Sequence, residues 1–168
     1  MKIKQLVWLG LSMIALGAFA QVASDDPDWE ETAAPPPPSF NKDRLIPIDM
    51  PSYVTLSFGV DPATLVITPD GIVRYVVIAS NPAGSISAMY EGIRCSTGEF
   101  KTYARFASNG QWSLIKAPSW RDMYDTQLPS RHAKSLARQG VCDGMALASN
   151  SVEAVVKALK NPTQGQIR

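Results

Sequence analysis

Alternation of apolar and polar residues between residues 53 and 115 predicts a series of half-buried β-strands. Glycine, proline, asparagine and aspartate cluster between these runs, which is typical of tight turns. Because the turns are short, each strand is expected to pair antiparallel with the one before it. The predicted strands span residues 53–58, 65–68, 72–80, 86–95, 100–106 and 111–115.

The stretch from Asp70 to Cys95 predicts the central hairpin, because it carries the longest β-branched run of the chain. A turn centred within residues 81–85 places Tyr75 opposite Glu91. The two strands of this hairpin are therefore expected to form the middle of the sheet.

The register of the next strand depends on the turn at residues 96–99. A symmetric turn pairs Cys95 with Phe100 and lays Tyr103 over Gly92. A slip of one residue would move every later side chain to the other face of the sheet. The symmetric register is preferred, because the slipped one mixes the aromatic residues of the strand with an arginine.

This register divides the sheet into two faces. The predicted core face collects Leu65, Ile67, Val73, Tyr75, Val77, Met89, Ile93, Cys95, Phe100, Ala104, Phe106, Trp112 and Leu114. The opposite face, called here the basic face, carries Arg74, Tyr90, Arg94, Lys101, Tyr103 and Arg105. Arginines bind carboxylates and phosphates, and tyrosines stack on sugars, so the basic face is a candidate binding surface for an anionic partner. The alternative is a solvated face whose arginines pair with nearby aspartates.

Other residues are expected to cover part of the basic face. The apolar side chains of Ile72, Val76 and Ile78 also lie on this face, so strand 53–58 or residues 45–51 are expected to cover them. The acidic residues at 24–31 are expected to reach the same face and to compete there with an external partner.

The last third of the chain changes to a helical period. Residues 131–139 are predicted to form a helix ended by Gly140, with Ala133, Leu136 and Ala137 on its apolar side. Asn150 resembles the start of a capping box, which predicts a second helix that ends near residue 160. A single helical turn is predicted at residues 120–124. The predicted fold class is α+β: a twisted antiparallel β-meander of five to six strands with C-terminal helices packed on one face.

Residues 1–20 resemble a secretory signal peptide. Lys2 and Lys4 precede an apolar run, and Ala18-Phe19-Ala20 fits a cleavage site, so cleavage is predicted after Ala20. A membrane anchor is less favoured, because the run is shorter than the roughly 20 residues of a span. The protein is expected in the periplasm, with the cell surface or secretion as further destinations and no membrane span after cleavage.

Residues 21–50 are predicted to be an acidic and proline-rich tether, followed by one α+β domain over residues 51–168. Four consecutive prolines at 35–38 favour a stiff spacer over a ligand for a proline-recognising partner. Residues 32–168 carry 14 basic and 10 acidic residues, so the chain beyond the acidic stretch is weakly basic. An anionic envelope component or another envelope protein is the expected partner, and no nucleic acid is expected.

Two cysteines, Cys95 and Cys142, remain in the exported chain and are predicted to form one disulfide. A reactive thiol pair is the alternative, but the chain has no C-x-x-C motif.

No catalytic residue, metal site or cofactor is predicted. His132 is the only histidine, and its basic neighbours in sequence place it on the helix surface. Among the acidic residues Glu91 is the strongest candidate for acid–base chemistry, because burial among apolar neighbours would raise its pKa. A hydrolase-type enzyme that uses Glu91 as an acid or base is therefore the alternative to a non-catalytic binding or structural module of the cell envelope.

Several short motifs resemble the cryptic neisserial protein family, a set of uncharacterised exported proteins of β-proteobacteria. These motifs are Asp70-Gly71-Ile72-Val73-Arg74-Tyr75, Tyr90-Glu91-Gly92-Ile93-Arg94-Cys95, Tyr103-Ala104 and Gly110-Gln111-Trp112. The resemblance covers residues 29–142 and supports export and the use of both cysteines. It implies no activity, ligand or catalytic residue.

Overall fold

The computed structural model describes residues 28–107, 109–129 and 131–162. The predicted signal peptide and its cleavage site lie outside these residues. Within the described ranges, no helix is long and apolar enough to cross a membrane.

One antiparallel sheet, with strands of two to nine residues, forms the centre of the fold. Its strands are β1 (Ile46–Ile48), β2 (Ser57–Val60), β3 (Val66–Ile67), β4 (Ile72–Ser80), β5 (Ile86–Arg94), β6 (Glu99–Phe106), β7 (Trp112–Leu114) and β8 (Arg121–Asp122). The order is β1-β2-β4-β5-β6-β7, with β3 beside β4 and β8 beside β6. A separate ribbon pairs β9 (Cys142–Asp143) with β10 (Ala146–Leu147).

The helices follow the sheet in sequence. Helix α1 (His132–Leu136) continues into a π-helical turn (Ala137–Val141), and α2 (Val152–Lys160) follows the ribbon. The three predicted apolar positions of the first helix are all buried, and α2 begins after Ser151, whose side chain accepts a hydrogen bond from the Ala154 amide. The architecture is compatible with the predicted α+β class.

The strand count is larger than the predicted five to six. Among the described residues eight strands join the main sheet and two form the ribbon. Strand β8 replaces the predicted helical turn at 120–124, and β1 lies inside the predicted tether. Strands of two or three residues are too short to show alternation in the sequence, and their pairing comes from neighbouring strands.

The central hairpin has the predicted register. Tyr75 lies opposite Glu91, and Val73 lies opposite Ile93. The turn at 81–85 determines this pairing, because the Gly84 amide donates to the Asn81 carbonyl and closes it.

The pairing of β5 with β6 differs from the prediction. Phe100 lies opposite Ile93 rather than Cys95, because the tight turn ends at Gly98, whose φ of 68° suits glycine. The shift is two residues, so Phe100 keeps its predicted face.

A β-bulge at Tyr103 then exchanges the faces of the rest of β6. Thr102 lies opposite Glu91 while Ala104 lies opposite Tyr90, so Tyr103 is the extra residue. Arg105 consequently leaves the basic face and lies opposite Met89, on the side of the helices. The predicted placement of Arg105 was therefore wrong. For the same reason four residues of the predicted core face belong to the other side of the sheet: Ala104, Phe106, Trp112 and Leu114, which lies opposite Ala104 and is exposed.

The sheet has an apolar cluster on each face, and each cluster is covered by another layer of the chain. On one face α1, α2 and the loop before α1 cover the larger cluster, which includes Tyr75, Ile93 and Phe100. On the other face the N-terminal segment, residues 28–45, packs against a smaller cluster that includes Tyr90 and Tyr103. This segment is called the strap. The predicted tether is therefore folded over residues 28–48: the strap packs on the sheet, and β1 is one of its strands.

Candidate functional site

The basic face is covered by the strap. Five of the six predicted side chains share this face, and each is less than 9 % exposed: Arg74, Tyr90, Arg94, Lys101 and Tyr103. The strap rather than residues 45–51 alone provides the cover. Ala34, Phe40 and Leu45 of the strap pack on the apolar part of the face.

Glu31 of the strap lies at the centre of the basic face, as expected for the acidic segment. Its carboxylate accepts hydrogen bonds from Lys101 Nζ, from the Tyr103 hydroxyl at 2.8 Å and from Trp120 Nε1 at 3.2 Å. The Arg74 guanidinium lies 3.6 Å from the same carboxylate. Burial and the bond to Glu31 raise the pKa of Tyr103. Trp120 was not predicted to belong to this cluster.

Asp70 provides the second carboxylate on this face. It accepts hydrogen bonds from the Thr32 amide at 2.9 Å and from Arg74 at 3.1 Å. Burial alone would raise the pKa of Asp70, but the hydrogen bonds from Thr32, Thr68 and Arg74 outweigh it and hold the pKa well below its usual range.

Trp29 completes the cover. Its indole lies 3.6 Å from the Arg94 guanidinium, and its Nε1 donates to the Asp70 carbonyl at 2.8 Å. The cations of this face are thus engaged by the chain itself. An external partner on the basic face would first have to displace the strap.

A cleft of about 270 Å³ opens on the other side of the sheet, between β5, β6 and the start of α1. Its apolar part includes Phe58, Phe100 and Leu128. Its polar part consists of Glu91, Thr102, Arg105, Arg121 and His132.

A buried carboxylate and imidazole lie at the base of this cleft. Glu91 Oε2 lies 2.7 Å from His132 Nε2, and the carboxylate also accepts from Tyr75 at 3.2 Å and from Thr102 at 2.9 Å. Both members of the pair are buried, with Glu91 1 % and His132 5 % exposed. The prediction of a surface histidine was therefore wrong.

The pKa of Glu91 also differs from the prediction. Burial acts in the predicted direction and raises it, but the charge and hydrogen bond of His132, with the bonds from Thr102 and Tyr75, lower the pKa below its ordinary value. Glu91 is thus an ionised acceptor at neutral pH rather than a carboxylic acid that donates a proton.

The histidine ring is held by aromatic neighbours. It stacks on Phe58 with ring centroids 5.0 Å apart and meets Phe100 edge-on at 6.0 Å. One signal in the sequence indicated its burial: His132 lies four residues before Leu136 and so shares the apolar side of the helix.

Two exposed arginines line the cleft. The Arg105 guanidinium contacts the Met89 sulfur at 3.6 Å, and the Arg121 guanidinium lies 5.6 Å from the Phe100 ring centre. Among the described residues, neither arginine forms an ion pair. Arg44 and Arg74, in contrast, each bind an aspartate.

Three other cavities, of about 290, 320 and 500 Å³, lie around α1 and beside β1. None of them contains a buried ionisable pair like that of Glu91 and His132. No group of three histidine, cysteine, aspartate or glutamate residues within the described ranges could hold a metal ion.

The predicted disulfide is present. Cys95 and Cys142 are bonded, with their Cα atoms 5.7 Å apart, and they join the end of β5 to the start of β9. The bond lies on the helix side of the sheet, away from the strap.

A family model described as the CNP1-like family matches residues 24–160. The chain belongs to the CNP1-like family. The match confirms the resemblance read from the motifs and continues through α2, beyond the residues that carried it. No curated protein and no solved structure matches this CNP1-like protein. The family assignment is to an uncharacterised family, so any function must be argued from the two faces of the sheet.

Proposed function

We propose that this CNP1-like protein is an exported, non-catalytic binding module of the cell envelope, and that the cleft above Glu91 and His132 is its binding site. The observation that carries the proposal is the combination of apolar walls, a fixed polar base and two arginines without protein carboxylates in one cavity. Ligand sites are commonly apolar cavities with a few polar groups that determine orientation.

The size of the cleft supports a small ligand. Typical ligand cavities are about 300–1,000 Å³, and the cleft of about 270 Å³ lies just below that range. The basic face is the less favoured site, because Trp29 and Glu31 already occupy it.

A tryptophan placed in the cleft tests the proposal. Ser87 is exposed and lines the cleft, whereas Ala154 is exposed on α2 and does not. Native mass spectrometry of protein isolated from the periplasm should detect a bound small molecule in the wild type and in Ala154→Trp, but not in Ser87→Trp. Equal retention by both variants, or no bound molecule in any of the three proteins, would contradict the proposal.

Export is a separate part of the proposal and rests on residues 1–20. Protein isolated from its native host is expected to begin at Gln21, because cleavage follows Ala20. Intact-mass measurement checks this. A mature protein that still contains Lys2 would show that the apolar run is not a cleaved signal.

A hydrolase-type reaction is the second candidate, and the hydrogen bond between Glu91 and His132 favours it. A buried carboxylate that orients a histidine is part of several hydrolytic sites, in which the histidine and not the carboxylate moves the proton. Hydrolysis of p-nitrophenyl esters by the wild type, reduced at least a hundredfold in Glu91→Gln, would support this candidate. Equal rates for the two proteins support the non-catalytic proposal.

A further inference from the structure

We infer that the cleft binds a small amphipathic organic acid, with its carboxylate on Arg105 and its apolar body against Phe58 and Phe100. The inference rests on the proposed function and adds the chemical class of the ligand. It follows from the charge, the walls and the size of the cleft.

The charge of the ligand follows from the arginines. Among the described side chains, Arg105 forms its one hydrogen bond with a thioether, and Arg121 lies over an aromatic ring. A guanidinium without a protein carboxylate has its donors available for a ligand, and its planar fork matches a carboxylate. Both cations are exposed, so a ligand reaches them from solvent.

The one carboxylate in the cleft does not favour a cation instead. Glu91 is 1 % exposed, and its oxygens accept from His132, Tyr75 and Thr102. Three of its roughly four acceptor sites are used within the protein and it is almost inaccessible, so the exposed arginines determine which charge the cleft attracts. An anion is favoured for this reason.

The apolar residues that line the cleft favour a ligand with a hydrocarbon body. Phe58 and Phe100 are 5 % and 4 % exposed, and Leu128 is 9 % exposed at the other side. Leu56 lies at the edge of the cleft and is 38 % exposed. A hydrocarbon chain or ring placed here would remove apolar surface from water, which favours binding.

The volume of the cleft and the register of β5, β6 and β8 indicate the length of the ligand. At about 30 Å³ for one liquid water molecule, the cleft of about 270 Å³ has the volume of about nine waters and suits about ten non-hydrogen atoms. Arg121 lies opposite Phe100, and Arg105 is five residues further along β6. Because the bulge adds one of these residues, the β5 partners Ile93 and Met89 are four residues apart, about 13 Å at 3.3 Å per residue. A ligand of that size with one carboxylate at its end therefore pairs with one of the two arginines. Arg105 is assigned to the carboxylate, because Arg121 already lies over the Phe100 ring.

Octanoate and its neutral counterpart 1-octanol are suitable probes. In titrations of isotope-labelled protein followed by NMR, octanoate should shift the amide signals of Thr102 and Ala79 in the cleft, but not that of Ala154 on α2. 1-Octanol should bind at least tenfold more weakly, because it lacks the charge-assisted hydrogen bonds. Arg105→Gln should weaken octanoate about tenfold, while Arg121→Gln and the remote control Lys157→Gln should remain within threefold of the wild type.

The outcomes separate the two proposals. If octanol binds the cleft as well as octanoate, the inferred ligand class is wrong while the cleft remains a binding site. If neither probe shifts the cleft signals and no bound molecule is found in periplasmic protein, the proposed function fails as well. A loss of octanoate affinity in Arg121→Gln but not in Arg105→Gln would overturn the assignment of the carboxylate to Arg105.

Discussion

Buried ionisable side chains on both faces of the sheet are bound to partners from distant parts of the sequence. Glu91 meets His132, Lys101 meets Glu31, and Arg44 of the strap meets Asp61. Removing a charged group from water is costly, so each pair stabilises the fold only while both members are present. Removing one member of a buried pair is therefore expected to destabilise the fold, because the other member remains buried without its partner.

The Glu91–His132 pair gives the first prediction. His132→Phe keeps a ring against Phe58 but removes the hydrogen bond to the buried carboxylate. The free energy of unfolding is expected to fall by about 3 kcal/mol, because a buried charge loses its main partner. Urea denaturation at pH 7 measures the effect. The double variant Glu91→Gln/His132→Phe should recover part of the loss, and a single variant as stable as the wild type would contradict the expectation.

The lowered pKa of Glu91 predicts how stability depends on pH. In the unfolded chain a glutamate has its ordinary pKa of about 4.3. The contribution of Glu91 to stability is therefore fully present above that value and is lost as the pH falls through the lower pKa of the folded state. The stability difference between the wild type and Glu91→Gln should shrink between pH 5 and the strongly acidic range, to about the value set by packing alone. A difference that stays constant with pH would show that Glu91 does not titrate with folding.

Local sequence reasoning succeeds at residue scale where a contact lies between adjacent strands. Tyr103 does lie over Gly92: a Cβ added at Gly92 would be 2.9 Å from the Tyr103 hydroxyl. It fails for His132, because the partner of that residue is 41 positions away in sequence. No local pattern indicates such a contact.

The strap is the element whose role changes most between sequence and structure. Its acidic and proline-rich composition is typical of a tether, yet Trp29 and Phe40 are half-buried against the sheet. Phe40 meets Phe106 and Trp112 edge-on, with centroids 5.0 and 5.8 Å apart. These few aromatic contacts, with the Glu31 cluster, hold a segment that has little regular secondary structure.

Glu31 and its neighbour Glu30 form a matched pair for testing the strap. Glu31→Gln should lower the free energy of unfolding by about 2 kcal/mol, because Lys101 and Arg74 lose a charged acceptor where water has little access. Glu30→Gln should change it by less than about 0.5 kcal/mol, since Glu30 is exposed. Thermal or urea unfolding of the two variants checks the contrast. If Glu31→Gln is as stable as Glu30→Gln and the wild type, the ion pairs of Glu31 contribute little to stability.

At the scale of the whole molecule, the disulfide ties the sheet to the C-terminal helices. Cys95 follows β5 directly, and Cys142 follows the π-helical turn, 47 positions later in the sequence. α2 packs against that turn through Gly140, where an added Cβ would lie 2.8 Å from Ala158 Cβ. The bond therefore restrains the layer that forms one side of the cleft.

Loss of the disulfide gives the last prediction. A double Cys95→Ser/Cys142→Ser variant should unfold with a free energy about 4 kcal/mol lower, from the chain-entropy cost of a loop of this length. Guanidinium titrations with and without reductant measure it. The wild type should lose stability on reduction, while the variant should be insensitive to reductant. A wild type unaffected by reduction would show that the bond contributes little.

The sequence by itself determined the α+β class, the long strands β4, β5 and β6, the hairpin register and the disulfide. These features depend on alternation over many residues, on turn chemistry close by, or on a choice between only two cysteines. Tertiary structure alone decided which face is open. The bulge at Tyr103 moved Arg105 across the sheet, and the strap covered the basic face that alternation had left exposed. A single extra residue and a folded-back segment leave almost no periodic trace in sequence, yet they determine where a ligand has access.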